Sequence, residues 1–319
     1  MKIKNKADKS SVALISPRKK KLSTRTIQLY ILCVIPMIFI FIFNYLPMGG
    51  IIIAFKNYSY SKGIFGSPWV GFKNFEFFFS SKEFLRITWN TLSMNFLFIT
   101  IGRFTAIFVA IMLFELVSRA ATKVYQTIMI LPHFFSWVIV SYLVYAFLNP
   151  QSGFINSMLE KMGFGGIEWY SKPNLWPAIL VIVHIWKGIG MGSVVYYAAL
   201  MGMDMSCVEA AKIDGASKFK VYWHVIIPSL VPMIVMLIIL DIGKIFHADF
   251  GLFYQVTRNV GLLYETTDVI DTYVFRTMRV LGDMGMSTAV GLLQSCVGFI
   301  LVMLTNYASK KFDENCALF

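Results

Sequence analysis

Apolar residues fall along this chain in blocks, and polar residues collect between them. The blocks are about 20 residues long, the length an α-helix needs to cross a hydrocarbon core of roughly 30 Å. Backbone in hydrocarbon must satisfy its own hydrogen bonds, so each block is expected to be helical. Six spans are read in this way: 28–46, 91–116, 124–147, 177–200, 230–246 and 287–308. The expected class is an all-α polytopic membrane protein. Residues 1–27 form a basic tail, 28–308 the six-helix domain and 309–319 a short C-terminal tail. The connection 56–84 is rich in aromatics and turn glycines, as suits a helix lying at the membrane interface.

Composition sharpens this picture. Of 319 residues, 57% are hydrophobic and 14% charged, with mean hydropathy +0.66. Soluble domains carry roughly 25% charged residues. The net charge of +12 invites a nucleic-acid reading, but its placement argues for a membrane surface. Lys2, Lys4, Lys6, Lys9, Arg18, Lys19, Lys20, Lys21 and Arg25 all precede the first apolar block. Juxtamembrane basic residues attract anionic lipid and hold their segment in the cytosol. With the N-terminus inside, Arg119, Lys123, Lys212, Lys218, Lys220, Lys310 and Lys311 join it, and fewer basic residues face out. Both termini are therefore expected to be cytosolic. The first block ends in Asn44-Tyr45-Leu46-Pro47 without a small-residue cleavage site, and is expected to remain as an anchor. Cys33, Cys207, Cys296 and Cys316 show no metal or redox spacing.

Between the fourth and fifth spans, residues 205–228 should form a cytosolic elbow. Val208, Glu209, Ala210 and Ala211 make a short helix with small side chains that another protein surface can approach closely. Asp214-Gly215 breaks it, since glycine tolerates positive φ. A second short helix follows, and Pro228 suits the first turn of the next span.

This segment resembles the EAA motif of permeases from binding-protein-dependent ABC importers: Glu-Ala-Ala, three residues, Gly, nine residues, an aliphatic, a spacer, an aliphatic and Pro. Glu209, Ala210, Ala211, Gly215, Val225, Ile227 and Pro228 match it. The stretches NYLPMGGIIIAFKNY, WNTL, ILPHFFSWVIV, IDTYVFR and STAVGLLQSCVGFILVMLTN resemble polysaccharide-type sugar permeases. More distantly, the chain is similar to the larger permease of the maltose transporter. The resemblance implies the type I importer permease fold, with Glu209, Ala210, Ala211 and Gly215 coupling to an ATPase. It also implies two cytosolic ATPase subunits, a second and usually different permease, and an extracellular lipid-anchored solute-binding protein. The chain has no phosphate-binding GxxxxGK[ST] loop, so ATP and its Mg²⁺ belong to the partner ATPase, and no cofactor is expected here. The expected location is the bacterial cell membrane.

Ionisable groups inside spans are costly and are site candidates by default. Trp137, His184, Lys187, Gly188, Asp241 and Lys244 are the candidate sugar-binding residues. By ungapped spacing from the motif, His184, Gly188, Met191 and Asp241 align with sugar-contacting positions of the maltose permease, whereas Ile245 replaces a polar residue. Two readings stand: sugar rings stack on Trp137 while His184, Lys187 and Asp241 bind hydroxyls, or these groups form an internal ion-pair network or line the interface with the second permease. Asp241 and Lys244, three residues apart, can pair. Arg103 is expected to pair at a subunit interface. Three rival readings are weighed. An ion-coupled transporter usually shows repeated halves with broken helices, and no repeat is visible. A permease for another solute class is opposed only by the subfamily resemblance. A membrane enzyme would need a nucleophile or metal constellation, and His133, His184, His224 and His247 lack one.

Overall fold

A computed structural model describes residues 24–312. The expected basic tail before Thr24 and the end of the chain after Phe312, with Cys316, lie outside the described residues. The chain divides into two units, residues 1–50 and 51–319. In the first, Thr24–Ile40 is an α-helix, and Phe41–Tyr45 continues it with wider π-type winding. Its apolar side chains from Leu29 to Phe43 are exposed, as suits a segment solvated by lipid.

Five helical stretches are long and apolar enough to cross a membrane: Gln28–Phe55, Phe84–Phe114, Pro173–Met201, Lys218–Ile242 and Met284–Lys311. The third expected span, 124–147, is not one straight helix. Arg119–Phe134 and Trp137–Leu148 meet at 99°. Pro132 lacks an amide donor and disfavours helix in the residue before it, which weakens the run at this point. The chain restarts at Ser136, whose hydroxyl accepts from the Ile139 amide at 3.4 Å. Among the described residues there is no strand beyond an isolated Lys56–Trp69 bridge.

Within the second unit, Phe84–Phe114 and Pro173–Met201 pack along most of their length and divide the interior into layers. At one end, Met94 and Phe98 meet Val140, Val144, Leu180 and Phe253. At the other, Ala106 and Ala110 meet Tyr196, Leu200, Val208 and Leu230. A third cluster joins Phe78, Ile87, Ile270, Met286 and Val290 beneath the interfacial helix Lys73–Phe79.

The connection between the fifth and sixth spans is fastened to the second. The Asn90 amide donates to the carbonyls of Glu265 and Asp268, each at 3.0 Å, and Thr91 Oγ1 accepts from the Ile270 amide. The buried Asp268 carboxylate accepts from Arg276 at 2.6 Å and Thr272 at 2.8 Å. These bonds neutralise a charge that burial alone would make costly.

Small residues let the spans approach. A Cβ on Gly190 would lie 2.0 Å from the Met129 carbonyl oxygen, and one on Gly192 would lie 3.3 Å from the Ala106 Cβ. Gly298 similarly faces the Gly243 carbonyl. The Gly188, Gly190, Gly192 run is thus a close-approach surface on a continuous helix, Trp176–Met201. Gly188 differs, because nothing lies within 4 Å of its Cβ position. Gly190→Ala should destabilise the purified protein by roughly 1–3 kcal/mol, whereas Gly188→Ala should stay within about 0.5 kcal/mol. Thermal melts of the two variants in one detergent check this; equal melting would refute the packing assignment.

Candidate functional site

Between the two apolar layers lies a polar cavity of about 250 Å³, lined by residues of the second and fourth spans and the end of the fifth. Its walls include Asn95, Arg103, His184, Gly188, Asp241, Lys244 and His247. Each wall has a local cause. Arg103 follows Gly102 on the second span, and its guanidinium reaches Asp241 across to the fifth. Nε and Nη2 contact the same oxygen, Oδ2, at 2.7 and 2.5 Å. The expected Asp241–Lys244 pair is not formed, because Asp241 is engaged by Arg103. Arg103 thus has a partner within its own chain. A charge-assisted pair is the form in which two ions persist in low dielectric.

The fifth span ends earlier than its hydropathy indicates. Helix stops at Ile242, and residues 243–246 run as turns. Its freed carbonyls are satisfied by side chains. Asn95 donates to the carbonyls of Ile245 at 2.8 Å and His247 at 3.1 Å, and Gln294 donates to that of Phe246 at 2.6 Å. Asp271 accepts from the Ala248 amide at 2.8 Å and lies 3.8 Å from His247 Nδ1. Irregular backbone at membrane depth is tolerated where protein groups satisfy it or it lines a cavity. Lys244 sits on this unwound piece, exposed, and its ammonium has no hydrogen-bond or ion-pair partner among the described residues.

Four of the six candidate sugar-binding residues, His184, Gly188, Asp241 and Lys244, line this cavity. The His184 ring stacks on Phe98 with centroids 4.1 Å apart. Trp137 and Lys187 do not line it. Lys187 Nζ donates to the His133 carbonyl at 2.7 Å and lies 5.1 Å from the Trp137 ring centroid. The indole also covers Gly251, whose added Cβ would fall 2.0 Å from its Cδ1. These contacts occupy the ring and brace the break in the third span, so sugar stacking on Trp137 does not follow from its position. Sequence reasoning passed over Asn95 and His247 as cavity residues. The available signal was an amide inside an apolar block and a histidine at a span end.

The elbow forms a second constellation. Ser206–Ile213 is helical and is closed by Gly215 at φ +75°. The Ala216 amide donates to the Ala211 carbonyl at 3.0 Å, and the Gly215 amide to that of Lys212 at 3.1 Å. This is the Schellman arrangement, in which glycine takes the left-handed position. Val208 is buried, with Ala211 and Ala216 packed beside it. Glu209, Ala210, Lys212 and Ile213 are exposed, with Ile213 at 87%. A protruding, small-residue helix end is thereby mounted on the cavity's own helices.

The elbow is also tied to the connection between the second and third spans. Glu115 Oε2 accepts from Lys218 Nζ at 3.1 Å. A hydrogen bond from Tyr222, and then Lys218, hold the Glu115 carboxyl below its ordinary value of 4.5. A lowered carboxyl pKa stabilises the fold above the unfolded value, and that contribution is lost as pH falls through the folded one. The tie is therefore intact at neutral pH.

Residues 98–314 match the family of binding-protein-dependent transport system inner membrane components. Protein LplB of Bacillus subtilis (strain 168) is 35% identical over 286 residues, 90% of this chain and 89% of the relative. The polygalacturonan/rhamnogalacturonan transport system permease protein YteP of the same organism is 35% identical over 300 residues, 93% of each chain. A crystal structure of a bacterial ABC transporter involved in the import of the acidic polysaccharide alginate contains a chain with TM-score 0.80 and 33% identity. That match covers 91% of this chain and 97% of that one.

The fold and the elbow define a multi-pass membrane permease component of an importer. The chain belongs to the family of binding-protein-dependent transport system inner membrane components. In that family the ATPase is a separate subunit, and this component is not itself catalytic.

Removing one partner of the central ion pair should be severe. Arg103→Met, which strands Asp241, should cost roughly 3–5 kcal/mol. The double variant Arg103→Met, Asp241→Leu should recover most of that loss. Denaturant titrations of the purified variants provide the cycle; additive losses would mean that the two residues do not act as a pair.

Proposed function

We propose that this chain is one permease of an ATP-driven ABC importer that carries a sugar or oligosaccharide across a bacterial cell membrane. The observation that carries the proposal is the elbow: its exposed Glu209, Ala210 and Ile213 sit on the short helix Ser206–Ile213, which joins the fourth and fifth spans, and both of those spans contribute residues to the cavity wall. A push on the elbow is transmitted to the cavity through packed side chains from Val208 and Leu230 to Ala106 and Ala110. The solute site is the cavity, with Asp241, Arg103, His184, Lys244 and the bare Gly188 surface available to hydroxyl groups. Relatives named for polygalacturonan, rhamnogalacturonan and alginate support a saccharide.

In this proposal two ATPase subunits dock on the elbows of this chain and of a second permease. The basic tail and both termini lie in the cytosol, and an extracellular lipid-anchored binding protein delivers the solute. ATP closure favours the outward-facing bundle, and hydrolysis returns it inward. The equilibrium moves only as far as ATP binds the two states differently.

Two substitutions test the coupling. Glu209→Lys inverts the charge on the docking helix and should abolish co-purification of the ATPase. Gly215→Val forces a β-branched residue into the left-handed region at about 1–2 kcal/mol, and should lower ATP-dependent uptake about tenfold. Uptake is read in vesicles containing the complete complex and a labelled oligosaccharide. Uptake indifferent to ATP and to both variants would overturn the proposal in favour of an ion-coupled transporter.

A further inference from the structure

The cavity carries an unbalanced charge. Of its ionised side chains, Arg103 and Asp241 neutralise each other within one pair. His184 lies flat against Phe98, and His247 faces Asp271 at 3.8 Å, outside the pair. Lys244 remains, lining the cavity with no hydrogen-bond or ion-pair partner among the described residues. Its backbone is held in place by bonds to its neighbours, the Lys244 amide donating to the Asp241 carbonyl at 2.9 Å and the Lys244 carbonyl accepting from the His247 amide at 2.8 Å. Asn95 and Gln294 fix the flanking carbonyls. The ammonium is thus mounted on a pinned, non-helical segment at the cavity wall, and it can move without breaking an existing contact.

We infer that Lys244 is the carboxylate-reading residue of this cavity, selecting sugars that carry an acidic group over their neutral counterparts. The inference rests on the saccharide-import reading above and adds the chemical class of the solute. An unpaired ammonium at the cavity wall gains most from an anion, because a charge-assisted hydrogen bond exceeds one between neutral groups. A neutral sugar offers it only hydroxyls. Arg103 cannot serve, since binding an incoming carboxylate there would strand Asp241. The open surface at Gly188 leaves room beside Lys244 for a pyranose ring.

The test uses the complete complex of this chain, its second permease and the ATPase, purified without the binding protein, so that selection by the latter does not enter. Two probes are titrated calorimetrically: a short galacturonate oligomer and the same oligomer with its carboxylates reduced to alcohols. Wild type should bind the acidic probe about tenfold more tightly. Lys244→Gln should remove that preference. Lys244→Arg, which keeps the charge, should retain it. Co-purification of Lys244→Gln with the second permease and the ATPase in wild-type yield is the control for its folding. A preference that survives in Lys244→Gln, or a wild type that binds both probes equally, overturns the role of Lys244 and leaves saccharide import standing. A wild-type complex that neither binds nor transports either probe overturns both.

Discussion

Two opposite charges held against each other at membrane depth organise this molecule. Arg103 on the second span and Asp241 on the fifth are each intolerable alone in hydrocarbon. Together they hold the two spans in register and leave space beside them that apolar side chains do not fill. The apolar layers above and below, one centred on Phe98 and Leu180 and the other on Ala106 and Tyr196, confine that space to the middle of the second unit. The cavity exists because polar groups there are satisfied by one another and by unwound backbone.

That unwound backbone follows from the same constraint. Gly243 ends the fifth helix close to Gly298 of the sixth, and the next residues cannot be left with free carbonyls. Asn95 and Gln294 donate to those carbonyls, and Asp271 accepts from the Ala248 amide, so the partners come from three different elements. Placing Lys244 and His247 on a segment fixed by side chains gives the cavity wall a defined shape without a rigid helix. At the other end, the elbow converts a glycine-closed helix into a protruding contact. Its buried side is continuous with the layer beneath the cavity, through Val208, Leu230, Ala106 and Ala110.

Much of this was legible along the chain. Span number and approximate position followed from block length, since hydrocarbon thickness dictates how many apolar residues a helix needs. The elbow was legible because Gly215 must take a left-handed conformation and the residues ahead of it are small. His184, Gly188, Asp241 and Lys244 stood out as polar or bare positions in apolar blocks, and all four line the cavity. The family resemblance rested on the elbow motif around Glu209 and Gly215, and the family match spans residues 98–314.

Tertiary structure decided the pairings. Asp241 has Lys244 three residues away and Arg103 well over a hundred residues away in sequence, and the distant partner holds it because helix packing, not chain proximity, brings the guanidinium to Oδ2. Trp137 and Lys187 read as site residues by type, yet Trp137, at the 99° break in the third span, covers Gly251, and Lys187 of the fourth span donates to the His133 carbonyl at that break. The early end of the fifth helix was hidden for a related reason. Hydropathy reports which residues accept hydrocarbon, whereas the groups that satisfy a broken backbone come from elsewhere in the fold. The sequence by itself determined a membrane bundle with a glycine-closed elbow, because those depend on local composition and backbone conformation. Which charges pair, and which one remains free in the cavity, was decided only when distant segments met.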